Sequence, residues 1–216
     1  GSGVPGSSGS GSGSGLDRLR LCKEDFDSAR TSFVQALKHG LELLCGHAQN
    51  SMRDVLAHVL GRQGTGPLGG IAFDIGDDAF DNQPALALLP RGLTVPFESL
   101  ISICTCGLSE NSKEMVVGLL VDGCCSRLEH FISQTNFRFA GALKLEECVR
   151  ALTGLFARWS STPVRGKFSR LREIMLVLTS DVSSAGNLGS DNFSHLTLHE
   201  IHAFASLRVD FGEIVG

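Results

Sequence analysis

Apolar residues recur every three or four positions along most of this chain. Phe26, Phe33, Leu37, Leu41, Leu44, Ala48, Met52, Val55 and Val59 keep that period between Leu16 and Gln63. The pattern predicts one long helix, or two in line, with Gly40 and Gly46 as candidate kink points. A second helix is predicted over Ser112–Phe139, capped by Asn111 with Glu114 at the third helical position. Its apolar face carries Met115, Val116, Leu119, Leu120, Cys124, Leu128, Phe131 and Ile132. Leu145, Cys148, Val149, Leu152, Leu155, Phe156 and Trp159 predict a third. No stretch alternates with period two over a convincing length, so strands are not expected. The pattern is that of an all-α fold, an antiparallel helical bundle or rod with a small C-terminal helical subdomain.

The remaining segments are punctuated. Pro84, Pro90 and Pro96 argue against a long helix through Ala85–Val95, since proline lacks the N–H and clashes with the preceding turn. A shorter helix from about Phe97 to Cys106, stopped by Gly107, is expected instead. Gly64–Gly70 reads as a loop and Ile71–Asn82 as a short acidic stretch. Gly1–Gly15 is almost entirely Gly and Ser and reads as a flexible tether. The division drawn from these breaks is a linker at 1–15, a helical bundle over 16–161 and a small helical domain over 162–216.

Two segments near the C-terminus have well-formed helix starts. Thr162 is placed to cap a helix with Pro163 at its first position, where a missing N–H costs nothing. Val164, Phe168, Leu171, Met175 and Leu178 then form one buried stripe, with Arg165, Lys167 and Arg172 off it and Arg170 at its edge. In the second segment, Thr197 and Glu200 form a capping box, and Leu196 and Ile201 can close over it as a hydrophobic staple. Ile201, Phe204 and Leu207 supply its apolar face. Between the two lies Ser180–Phe193, rich in Ser and Gly and read as loop.

Composition removes several function classes. The net charge is −4, which offers no basic field for nucleic acid or an anionic membrane. Tyr is absent and Trp occurs once, which speaks against a base-stacking surface although thirteen Phe remain. No apolar run reaches the roughly 18–20 residues of a membrane helix, and the first residues show no secretory signal. Seven cysteines, an odd number set mostly in apolar helical patterns, read as reduced thiols behaving as small core residues.

Reaction chemistry is sparse. Cys104-Thr-Cys106 and Cys124-Cys125 lack the spacing of a zinc knuckle. His195, His199 and His202 lack the H-E-x-x-H arrangement. Asp74, Asp77, Asp78 and Asp81 lack the spacing and closing Glu of a calcium loop, and the GTGPLGG loop lacks a Gly-Lys-Ser/Thr ending. No cofactor, metal or enzymatic activity is expected.

Four stretches carry a family resemblance: ARTSFVQALKHGLELL (Ala29–Leu44), FRFAGALKLEECVRAL (Phe137–Leu152), VRGKFSRL (Val164–Leu171), and LTLHE with LRVDF toward the end. In order and approximate spacing, over about Ser28–Phe211, they resemble the C-terminal region of the fourth subunit of the conserved oligomeric Golgi complex. In that family's pattern Gly141, Ala142 and Leu143 occupy a turn. The Ser180–Phe193 connection departs from it, and DDAFDNQ (Asp77–Gln83) is at most a remnant of its acidic, aromatic loop. The resemblance implies a non-catalytic tethering subunit in retrograde intra-Golgi traffic, peripheral on the cytosolic face of the Golgi with a cytosolic pool. It implies as partners the other subunits, SNAREs with their Sec/Munc-type regulators, and Rab GTPases. It also marks Arg170 and Glu200 as matched positions, and these two are expected to pair between the last two helices. Phe168, Thr197 and Arg208, within the same matched motifs, are the further candidate interaction residues. The alternative is an unrelated all-helical cytosolic scaffold or adaptor.

Overall fold

The computed structural model describes residues 13–60, 73–74, 84–180 and 193–210, with side chains of 13–17 and 84–87 left aside. The loops expected at 64–70 and over most of 71–83 and 180–193 lie outside these residues. The chain falls into two units, Gly1–Leu43 and Leu44–Gly216. Helix α1 spans Gly13–Leu60. It begins three residues inside the stretch read as tether, because a helix propagating through Leu16 extends readily over an adjacent turn. In the first unit every side chain described from Arg18 to Gly40 is exposed. In the second, Ala48, Met52, Leu56, Val59 and Leu60 are buried.

Helix α2 spans Pro84–Thr105 and contains both Pro90 and Pro96, so the proline argument against a long helix fails. The reason is tertiary. Leu89, Leu93, Phe97 and Ile101 stand four residues apart and are completely buried. Burying each such side chain contributes roughly 1.5–3 kcal/mol, against about 3 kcal/mol lost at each proline. Gly107, with φ of 74°, then stops the helix in the conformation that favours glycine.

Helix α3 spans Glu110–Ser133. Its cap is Ser109, whose Oγ accepts from Ser112 N at 3.3 Å, rather than Asn111. The earlier start puts Glu114 outside any capping role. The buried face is rotated from the expected one: Val117 and Val121 join Val116, Leu120, Cys124, Leu128 and Ile132, whereas Met115 and Leu119 face solvent. α3 also ends six residues early, because Phe137 pairs with Arg208 in an isolated parallel bridge. Phe137 N donates to Leu207 O at 2.8 Å and Val209 N to Phe137 O at 3.0 Å.

Helix α4 spans Phe139–Trp159 and is central, packing against α2, α3 and the two elements within 164–179. Gly141, Ala142 and Leu143 belong to its first turn, which corrects the turn expected there. A Cβ on Gly141 would run into the Phe73 carbonyl oxygen, with the Phe73 carbonyl carbon 3.1 Å away. That carbonyl also accepts from Arg138 N at 2.8 Å, and the Phe73 ring packs on Phe131 and Phe137. Gly141→Ala is therefore expected to destabilise the chain by about 1–3 kcal/mol, as overpacking does, readable as a lower urea midpoint. An unchanged midpoint would show that Phe73 yields without cost.

The segment predicted as one helix from Pro163 is a 3-10 turn, Val164–Gly166, followed by α5 over Ser169–Thr179. Thr162 does not cap it, since its hydroxyl is bonded to Glu114. The expected stripe is nonetheless buried at Val164, Phe168, Leu171, Met175 and Leu178. Helix α6, Leu198–Ala205, begins with the complete Thr197/Glu200 capping box. The described residues are thus all-α, and those of the second unit form a helical bundle.

Candidate interaction site

Five carboxylates and two arginines fasten the C-terminal segments to the bundle. α5 presents Arg170 at the edge of its buried stripe, where three groups converge. Its Nε lies 3.0 and 3.1 Å from the two carboxylate oxygens of Glu129 on α3. Its Nη2 donates to Glu129 Oε1 and to Glu200 Oε1, each at 2.7 Å. Its Nη1 donates to the His195 carbonyl at 2.7 Å. One planar guanidinium thereby ties α3, α5 and the start of α6 together, a geometry that lysine's point charge does not reproduce.

Glu200 has a second set of donors. Thr197 N and Thr197 Oγ1 each donate to its Oε2 at 2.8 Å. The Arg170 bond first, and the Thr197 bonds after it, lower its pKa from 4.5 to about 2. Glu173 closes the same corner, accepting from Ser194 N at 2.9 Å and His195 N at 2.8 Å. Sequence reasoning singled out Arg170 and Glu200 but missed Glu129 and Glu173. Neither sits in a motif, and only the three-dimensional arrangement aims them.

The side chains of Arg170, Glu129 and Glu200 are 35%, 31% and 33% exposed, so solvent screens part of their attraction. A double-mutant cycle on Arg170→Ala and Glu200→Ala should still show clear coupling, because Arg170→Ala leaves Glu129 and Glu200 facing each other without their cation. Strict additivity would show that the pair contributes nothing jointly.

A second fastening uses Glu114. Its carboxylate accepts from Ser160 Oγ, Ser161 N, Ser161 Oγ, Thr162 N and Thr162 Oγ1, holding the corner after α4 against α3. The Ser160 and Thr162 hydroxyls, then the Ser161 N–H, hold its carboxyl well below the usual range. Folding thus lowers the pKa of both Glu114 and Glu200, so their contribution is fully present above the unfolded value of 4.5. Unfolding midpoints should be flat from neutrality to about 4.5 and then fall as the pH drops toward about 2. Glu200→Gln with Glu114→Gln should flatten that acid limb, and an unaltered limb would assign it to other groups.

Arg208 is 4% exposed. Its Nε and Nη2 form a fork on Asp210, at 2.6 and 2.7 Å, and Nη1 donates to the carbonyls of Leu178 and Ser180. The guanidinium also lies 5.4 Å from the Phe139 ring centroid. Asp210 in turn accepts from Phe139 N at 3.2 Å, at the start of α4 where no local side chain caps the helix. Burial raises the Asp210 pKa, but the Arg208 bonds and charge outweigh it and the net shift is downward. Phe168 is completely buried, with its ring 6.1 Å from Phe156, which packs on Phe97 at 5.9 Å.

The histidines at 195, 199 and 202 are exposed. Among the described residues, no three His, Cys, Asp or Glu side chains are grouped to hold a metal ion. All seven cysteines are free thiols, and burial pushes Cys148 and Cys125 up to about 12. The arrangement holds helices in register and keeps its carboxylates occupied by donors.

The sequence pattern of the family described as conserved oligomeric Golgi complex subunit 4, C-terminal, matches residues 17–201. The chain belongs to this family. The subunit 4 of Arabidopsis thaliana is 24% identical over 204 residues, covering 90% of this chain and 26% of the plant protein. The subunit 4 of Drosophila melanogaster is 28% identical over 143 residues, covering 60% of this chain and 18% of the fly protein. The chain therefore aligns with about a quarter or less of the length of these subunit 4 relatives. The family match takes in Arg170, Glu129, Glu173 and Glu200, so the corner they form lies within the conserved oligomeric Golgi complex subunit 4 region, and it weighs against an unrelated scaffold.

Proposed function

We propose that this chain acts as the C-terminal part of a non-catalytic subunit of the conserved oligomeric Golgi complex, tethering vesicles in retrograde transport between Golgi cisternae. The observation that carries this reading is the family match over residues 17–201. The bundle is consistent with it, being held by ion pairs and caps that fix helix positions. The partners are the other subunits of the complex, and beyond them SNAREs, their Sec/Munc-type regulators and Rab GTPases. The site of action is the cytosolic face of the Golgi, by peripheral association with a cytosolic pool. No helix among the described residues is long and apolar enough to cross a membrane.

Affinity purification of the natively expressed protein, with mass spectrometry of what co-purifies, tests this reading. Recovery of the other Golgi tethering subunits at comparable abundance is the expected result. Their absence would show that this member of the family does not assemble into the complex.

A further inference from the structure

The first unit poses a physical problem. Leu19, Phe26, Phe33 and Leu43 on α1 are 69%, 69%, 70% and 62% exposed. Leu19, Cys22, Phe26, Ala29, Phe33, Ala36, Gly40 and Leu43 follow one another at alternating steps of three and four. This is an unbroken a/d heptad seam, the pattern of a helix that packs lengthwise on another helix. Helices standing alone in water gain little stability from propensity and take most of it from packing an apolar face.

Size and charge along the seam specify what fits it. One register is large (Leu19, Phe26, Phe33) and the other small (Cys22, Ala29, Ala36). Close packing requires the reverse on the facing helix, small against the Phe rings and large against the Ala positions. One flank of the seam carries Lys23 and Arg30, and the other Arg18 and Asp25. The ion pairs of this unit, Arg20–Glu24 and Lys38–Glu42, lie on the outer face and leave Lys23 and Arg30 without a carboxylate among the described residues. Charges flanking a helix seam set partner choice.

A second copy of the chain fits poorly. Laid parallel, it sets Phe on Phe and Ala on Ala, and the one favourable edge pair, Asp25 with Arg30, is offset by Arg18 beside Lys23. Laid antiparallel, it matches sizes by placing Phe26 on Ala36 and Ala29 on Phe33. It then brings the two Arg30 side chains together and sets Lys23 beside Leu37, with no carboxylate on that edge. We propose that the Leu19–Leu43 face of α1 is the docking strip for one helix of another polypeptide. That helix carries small side chains against Phe26 and Phe33 and carboxylates beside Lys23 and Arg30.

The test uses the 216-residue chain and synthetic helical peptides of matching heptad length. They carry Ala facing Leu19, Phe26 and Phe33, Leu facing Cys22, Ala29 and Ala36, and Glu along the edge beside Lys23 and Arg30. The peptides are made in both chain directions, each with a twin bearing Lys in place of Glu. Sedimentation velocity should show a monomeric chain that takes up one Glu-edged peptide. Fluorescence anisotropy at low salt should show the Glu-edged peptide binding about tenfold more tightly than its twin. Lys23→Glu with Arg30→Glu should invert that preference, and Phe33→Asp should abolish binding, while circular dichroism shows the bundle still folded. Equal binding of the twins, or no binding, would overturn the proposal. A dimer dissolved by Phe33→Asp would make a second copy the occupant. Phe33-dependent binding to phosphatidylserine vesicles without a response to either peptide would make it a lipid surface.

Discussion

Replacing Arg208 with alanine is expected to lower the unfolding free energy by about 3–5 kcal/mol, the loss typical of breaking a buried pair from one side. The basis is what the side chain leaves behind. Asp210 loses both bonds of its fork, and the Leu178 and Ser180 carbonyls lose a charged donor. Buried groups left without partners are destabilising to the extent of their lost hydration. Phe139 also loses the cation over its ring. Arg208→Lys should recover little, because one ammonium cannot span the carboxylate fork and the carbonyls together. Urea denaturation followed by helical ellipticity gives the number. A loss below about 1 kcal/mol would show that water enters and takes over these bonds, as it does at exposed ion pairs.

Phe168→Ala should cost a similar amount, about 3–5 kcal/mol, for a different reason. Phe168 is completely buried at the junction of the 3-10 turn and α5, against Phe156 in the centre of the bundle. Alanine removes the ring and leaves a cavity that the surrounding helices fill only in part. Phe168→Leu keeps much of the volume and should cost less than half as much. Thermal unfolding of the two variants separates the effects, and equal losses in both would point to ring–ring geometry rather than cavity volume.

Much of this architecture was legible from local signals. The stripe from Val164 to Leu178 is buried as its spacing requires, and the Thr197/Glu200 box forms from four consecutive residues. The juxtaposition of Arg170 and Glu200 was expected from the family resemblance, with Arg170 at the edge of the apolar stripe and Glu200 opening the next helix. What failed was long-range. Nothing near Glu129 announces that it faces Arg170, forty-one residues on. Glu114 looks like a cap residue in sequence, yet Ser109 takes that role and the corner at Ser160–Thr162 recruits the carboxylate. Pro90 and Pro96 are strong local breakers overruled by the burial of Leu89, Leu93, Phe97 and Ile101. Local chemistry proposes each element, and the energy of packing decides those where the two conflict.

The parallel pairing of Phe137 with Arg208 has a consequence for the order of events in folding. It joins positions seventy-one residues apart, as does the bond from Phe139 N to Asp210 that caps α4. Closing so long a loop carries an entropic cost that must be met before the contact returns anything. Until residues 207–210 arrive, the N-terminal N–H of α4 has no carboxylate and the carbonyls at the end of α5 lack their cation. Helices α2, α3 and α4, built on nearer contacts, are expected to assemble first, with the Arg208 segment closing as a late latch. Mutations there should accelerate unfolding while leaving the refolding rate nearly unchanged.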